Sequence, residues 1–163
     1  MITTDLKNND PSPGLEFCKY DESFLEMSWQ WLTDPEIKRL TMTPDFTRED
    51  QARWFARLST VTDYLIWGLK SGDTPIGAMG LKKLTVVDAE YWGYIGDRRF
   101  WGGGFGQCLI RFALEQARRL NLTSIYLRVH RENDRAARLY EKLGFTLERE
   151  DGDVRIMRRN VGQ

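Results

Sequence analysis

Asn133-Asp134-Arg135-Ala136-Ala137-Arg138-Leu139-Tyr140-Glu141-Lys142-Leu143-Gly144-Phe145 reads as a short helix with both ends marked. Asn133 offers a side-chain oxygen to the free N–H groups of the first turn, and Gly144 stands where a left-handed residue stops the helix. Asn133, Ala136 or Ala137, and Tyr140 then lie on neighbouring turns of one face. Upstream, residues 122–129 alternate, with Ile125, Leu127 and Val129 on one side, as a half-buried strand does. Downstream, residues 145–149 and 154–158 predict a hairpin across Asp151-Gly152.

Further upstream, Trp101-Gly102-Gly103-Gly104-Phe105-Gly106 follows an aromatic strand-like run, Tyr91-Trp92-Gly93-Tyr94-Ile95-Gly96, and opens into a helical pattern reaching about Leu120. Glycines permit positive φ and close approach of a ligand to the main chain, and a helix N-terminus supplies unpaired N–H groups with partial positive charge. The combination suits a phosphate or pyrophosphate, although three glycines also serve tight strand-to-helix packing. Neither frame gives the Gly-x-Gly-x-x-Gly of dinucleotide binding, because Gln107 and Leu109 fill the third positions, and no Gly-Lys-Ser/Thr is present.

With Asn133 to Phe145 added to the glycines, the chain resembles the GNAT acyltransferase superfamily. Its members bind acetyl-coenzyme A through Gln/Arg-x-x-Gly-x-Gly/Ala, and many end the region with Asn-x-x-Ala-x-x-Leu-Tyr-x-Lys-x-Gly-Phe. The resemblance spans roughly residues 62–160. It implies a mixed α/β (α+β) fold, a twisted, mostly antiparallel sheet splayed at the cofactor site and flanked by helices. It also implies acetyl-coenzyme A as co-substrate and N-acetylation of a primary amine. The cofactor residues carried over are Tyr94, Ile95, Gly96, Trp101, Gly102, Gly103, Gly104, Phe105, Gly106, Asn133 and Tyr140. Backbone N–H groups near Tyr94, Ile95 and Gly96 are expected to face the thioester carbonyl. Trp101 stands where a glutamine or arginine is usual, so the pyrophosphate is expected on backbone N–H groups of Gly102 to Gly106.

Acetyl transfer needs a held thioester, a neutral amine, oxyanion stabilisation and a proton for the leaving thiolate. By family position Tyr140 is the acid. A phenol near pKa 10 protonating a thiolate near 8.5 is uphill by roughly 2 kcal/mol. Glu90 is the leading base, acting directly or through water, with Asp88 and His130 as alternatives. Asn133 is expected to hold the pantetheine arm or a water as well as capping its helix.

The amino-terminal half is less specific. Residues 1–14 carry turn residues and predict a frayed leader before a single domain over 15–163. Residues 15–19 alternate as a first strand; Asp21-Glu22-Ser23, Asp34 before Pro35, and Thr47 with Asp50 mark three helix starts. Residues 64–70, 76–84 and 86 or 87 to 96 predict an antiparallel meander. The loop between the second and third helices, residues 40–46, is either a substrate wall or plain packing. Trp31, Met42 and Trp54 are the candidate substrate residues. The variant Phe-Trp-Gly-x-Gly, with Trp31 to Ile37 and Gln51 to Phe55, resembles the branch that includes ribosomal-protein and amino-sugar acetyltransferases. A nucleotide-linked amino sugar is the narrower expectation for the acceptor. A protein α-amine and a non-catalytic acetyl-coenzyme A module are the alternatives.

Composition bounds this reading. The 163 residues carry 24 Lys plus Arg and 24 Asp plus Glu, so no overall field points to nucleic acid. The pairs Arg98-Arg99, Arg118-Arg119 and Arg158-Arg159 can still attract a phosphorylated small molecule. Two cysteines and one histidine form no metal set or disulfide framework. No apolar run approaches a membrane span, and a soluble, cytoplasmic protein is expected. A homodimer is compatible with the family resemblance.

Overall fold

The computed structural model describes residues 4–5 and 14–162. Most of the expected leader lies outside the described residues; within it, Thr4–Asp5 form a short strand, β1. The order continues β2 (Leu15–Lys19), α1 (Glu22–Thr33), α2 (Pro35–Leu40), α3 (Arg48–Leu58), β3 (Leu65–Ser71), β4 (Thr74–Lys82) and β5 (Asp88–Ile95). A 3-10 turn (Arg98–Phe100) leads to α4 (Phe105–Arg119), β6 (Ser124–His130), α5 (Asp134–Lys142), β7 (Thr146–Asp151) and β8 (Val154–Asn160). One eight-stranded sheet has the order β1-β2-β3-β4-β5-β6-β8-β7. Every neighbouring pair is antiparallel except β5 and β6, which are parallel. A parallel pair requires a crossover, and here the glycine segment and α4 supply it.

Local chemistry sets the helix starts. Asp21 accepts from the N–H groups of Ser23 and Phe24. Asp34 does the same for Glu36 and Ile37, with Pro35 at the first helical position. Thr47 and Asp50 close a reciprocal capping box on α3. Such caps contribute about 1 kcal/mol each by satisfying donors that have no intrahelical partner.

The two sheet faces carry separate apolar clusters. On one, Phe24 of α1 lies so close to β3 that a Cβ on Gly68 would come within 2.3 Å of its ring. Cys18, Tyr20 and Ala78 join it, with Trp54 and Phe55 of α3 against them. On the other, α4 buries Leu109, Ile110, Phe112, Ala113 and Leu114. The Phe112 ring stacks on Phe17 at 3.9 Å and meets Trp67 edge-on.

The meander differs from expectation at its second turn. The expected strands reach Leu84 and resume at Val86 or Val87, but β4 stops at Lys82 and β5 starts at Asp88. Lys83 takes a φ of 52°, and Thr85 Oγ1 accepts from the N–H groups of Val87 and Asp88. This hydroxyl turn leaves Val86 89% exposed.

The parallel pairing of β5 with β6 is short. Asp88 to Tyr91 match Ser124 to Leu127, and beyond Tyr91 the strands separate. The opening therefore begins before Tyr94, earlier than expected. The Tyr91 ring folds beneath Gly93, where a Cβ would come within 2.3 Å of the phenol oxygen.

Candidate active site

The glycine segment makes a concave turn at the start of α4. Gly102 and Gly104 have φ of 81° and 83°, and Gly104 occupies the N-cap with no side-chain hydrogen bond to the first turn. The first N–H groups of α4 are thus uncapped, the arrangement that binds anions at helix starts. Gly106 has a second use, because a Cβ there would lie 3.4 Å from Leu139 of α5. Arg135 lies against the turn, its Nη2 3.8 Å from the Cβ position of Gly102. Arg98 and Arg99, singled out by sequence, are instead engaged by Asp34 and Glu36 and by Asp97.

Trp101 has a defined task. Its indole N–H donates to the Ile95 carbonyl at 2.8 Å, with the Arg98 guanidinium 4.9 Å from the ring centroid. The residue that replaces a polar family side chain therefore ties the turn to the end of β5.

The opening between β5 and β6 exposes backbone donors. In an antiparallel ladder, bonding to one neighbour alternates along the strand. Gly96 N–H donates to Ile76 O, and the register that follows directs Tyr94 and Trp92 to β4. Gly93 and Ile95 then direct their N–H groups toward β6, where no pairing continues past Tyr91. The donor set expected at Tyr94, Ile95 and Gly96 is corrected accordingly: Ile95 stays, Gly93 enters, and Tyr94 and Gly96 are spent on β4. Reading the alternation outward from the strand would have found Gly93, had the partner strand been known.

A cavity of about 620 Å³ passes through this opening. On the α5 side it is lined by Tyr91, Asn133, Ala136 and Tyr140. Asn133 Oδ1 caps α5 by accepting from Ala136 N–H, and its amide nitrogen makes no hydrogen bond among the described residues. Tyr140 contacts Phe145, and burial pushes its phenol up to about 12. Proton transfer to a thiolate near 8.5 is then uphill by about 5 kcal/mol, steeper than the reference values imply. The same desolvation acts on a thiolate beside it, which narrows the difference.

On the other side the wall is aromatic: Tyr20, Trp54, Tyr64, Trp92 and Tyr94 line the cavity under the loop carrying Met42. The Tyr20 and Tyr94 hydroxyls both donate to the buried Ser28 Oγ, at 2.7 and 3.2 Å. Burial raises the Tyr94 phenol strongly, and that of Tyr20 to about 12 against the opposing Ser28 hydrogen bond. Met42 has a φ of 54°, an uncommon conformation for a side-chain-bearing residue, held where Thr41 and Thr43 join their hydroxyls at 2.6 Å. Glu90 is 4% exposed, lines the cavity, and has Lys82 Nζ at 3.1 Å and Lys83 Nζ at 3.6 Å.

Three candidates fall elsewhere. Trp31 is buried against Gly96, where a Cβ would lie 2.1 Å from its ring, and is not part of the cavity wall. His130 Nδ1 accepts from Glu132 N–H in the turn before α5. Asp88 is bound by Arg158 and Thr85 at the far end of β5. Each is a local apolar, histidine or carboxylate signal whose neighbours sequence spacing does not specify.

Comparison with solved structures matches this architecture. Spermidine N-acetyltransferase from Vibrio cholerae, in complex with CoA and spermine, superposes with a TM-score of 0.81 at 22% identity, over 91% of this chain and 96% of that one. The Campylobacter jejuni N-acetyltransferase PseH gives 0.71 at 19% identity, over 91% and 99%. The PaiA N-acetyltransferase of Thermoplasma acidophilum, in complex with coenzyme A, gives 0.71 at 24%, over 90% and 98%. No curated protein matches the sequence. The family model for the acetyltransferase (GNAT) domain matches residues 16–146, and the chain belongs to that family.

Proposed function

We propose that the protein transfers an acetyl group from acetyl-coenzyme A to a primary amine of a small molecule. The observation that carries this reading is the opening between β5 and β6, with the N–H groups of Gly93 and Ile95 unpaired in it. The uncapped start of α4 follows a turn that Trp101 ties to the end of β5, and Tyr140 lines the cavity. The residues present fit the cofactor: N–H groups of the turn and α4 start, with Arg135, suit its pyrophosphate, and the Asn133 amide suits its pantetheine arm. Bound there, acetyl-coenzyme A supplies the activated acyl group as a thioester.

The chain's own groups do the rest. An N–H of Gly93 or Ile95 stabilises the developing oxyanion without reorganising. Glu90 takes the amine proton, directly or through water, and Tyr140 donates one to sulfur as the C–S bond breaks. An alkyl ammonium near 10.4 costs about 4 to 5 kcal/mol to neutralise at pH 7, an amine near 7.8 only about 1. The aromatic wall and the loop over Met42 favour a small acceptor over a protein terminus, and a nucleotide-linked amino sugar is the narrower form of the reading.

Calorimetry with coenzyme A, followed by thiol-release screening of amino-sugar nucleotides, polyamines and peptide N-termini, tests it. Binding with turnover of a small amine is expected. Absence of coenzyme A binding would overturn it, and turnover of peptide termini alone would move the activity to protein substrates.

A further inference from the structure

Resting on that transferase reading, we propose that the acceptor amine also carries an anionic group, phosphate or carboxylate, and that Arg128 selects it. Among the described residues, four charged side chains line the cavity: Asp50, Lys82, Glu90 and Arg128. Three have charge partners. Asp50 accepts from Thr47 N–H at 2.9 Å and from Arg53 Nη2 at 2.6 Å. Glu90 holds Lys82 and Lys83. Arg128 has no ion pair, hydrogen bond or ring contact among the described residues.

Its location gives this charge a function. Glu90 is in register with Tyr126, and Arg128 lies two residues further along β6, on the same face and just past the last paired residue, Leu127. It therefore sits at the lip of the opening. The next cation along that face, Arg158, covers the Tyr126 ring and is engaged by Asp88 and Glu148.

A polycationic acceptor needs carboxylates without partners, and both carboxylates here have them. The aromatic wall by itself accepts a sugar ring, an aliphatic chain or a cation, so the uncompensated charge decides. That charge is positive, on an exposed side chain at the cavity lip whose planar fork matches a carboxylate or phosphate bidentately. The protein thus resembles the spermidine enzyme in fold while its cavity has the opposite charge preference.

The test is the ratio of kcat/KM values within matched pairs, by thiol release at saturating acetyl-coenzyme A. The pairs are glucosamine 6-phosphate with glucosamine, and 6-aminohexanoate with 6-amino-1-hexanol; spermidine is the polycation. In at least one pair the anionic member is expected to lead by about ten-fold. Arg128→Gln should bring that ratio near one, and Arg128→Lys should restore part of it, with coenzyme A affinity unaltered in both. Which pair responds separates phosphate from carboxylate. Preference for the neutral members or for spermidine, or an Arg128→Gln protein that slows both members equally, overturns the assignment while leaving the transferase reading standing. Coenzyme A binding with no thiol release from any of the five or from the amino-sugar nucleotides overturns the small-amine reading itself.

Discussion

Tyr140 combines a family position with an unusual environment. Its phenol is raised to about 12 by burial, so it stays protonated across the whole working range. The kcat/KM profile should therefore rise through the amine titration with no descending limb below about pH 10. Tyr140→Phe should lower kcat about 100-fold with little change in coenzyme A affinity, measured by steady-state kinetics and calorimetry. Weakened cofactor binding with kcat intact would reverse the assignment. The shift has a stability counterpart. The folded protein binds this proton more tightly than the unfolded chain, whose phenol titrates near 10, so the contribution is complete below that pH and is lost as pH rises toward 12. Tyr140→Phe should accordingly be less sensitive to alkaline unfolding than the parent.

Among the elements, the glycine turn and the end of β5 separate two kinds of glycine. Gly104 holds a φ of 83° at the mouth of α4, so Gly104→Val strains the turn and should reduce coenzyme A affinity about ten-fold or more by calorimetry. Gly96 makes room for Trp31, and Gly96→Ala should cost about 1 to 3 kcal/mol in chemical denaturation because a buried indole must shift. This contrast marks what was legible in the sequence. Asp21, Asp34, Thr47 with Asp50, and Asn133 with Gly144 were readable because a cap acts over a few residues. Glu90 was readable as a candidate, and Trp101 as a departure from the family pattern. The partners that define their roles, Lys82 and Lys83 for one and the Ile95 carbonyl for the other, come from pairing between strands or from the folding back of a loop. The donor at Gly93 was hidden for the same reason, because which N–H groups face the opening depends on where β6 stops.

For the whole molecule, the sheet is a continuous support with one interruption, and cofactor binding is expected to bridge it. A ligand at 100 times its Kd adds about 2.7 kcal/mol to the stability of the state that binds it. For a chain of this size that is a rise of roughly 5 to 10 °C in Tm, measured by calorimetry with and without saturating coenzyme A. An unchanged Tm would mean that the folded chain does not bind coenzyme A at that concentration. The cavity has a further consequence because it runs through the sheet from the α5 side to the aromatic side. On the proposed transferase reading, donor and acceptor are expected to reach the reacting point by separate doors, so that neither must leave before the other arrives. The two substrates should meet in a ternary complex, and initial-rate plots against one at several fixed levels of the other should intersect instead of running parallel.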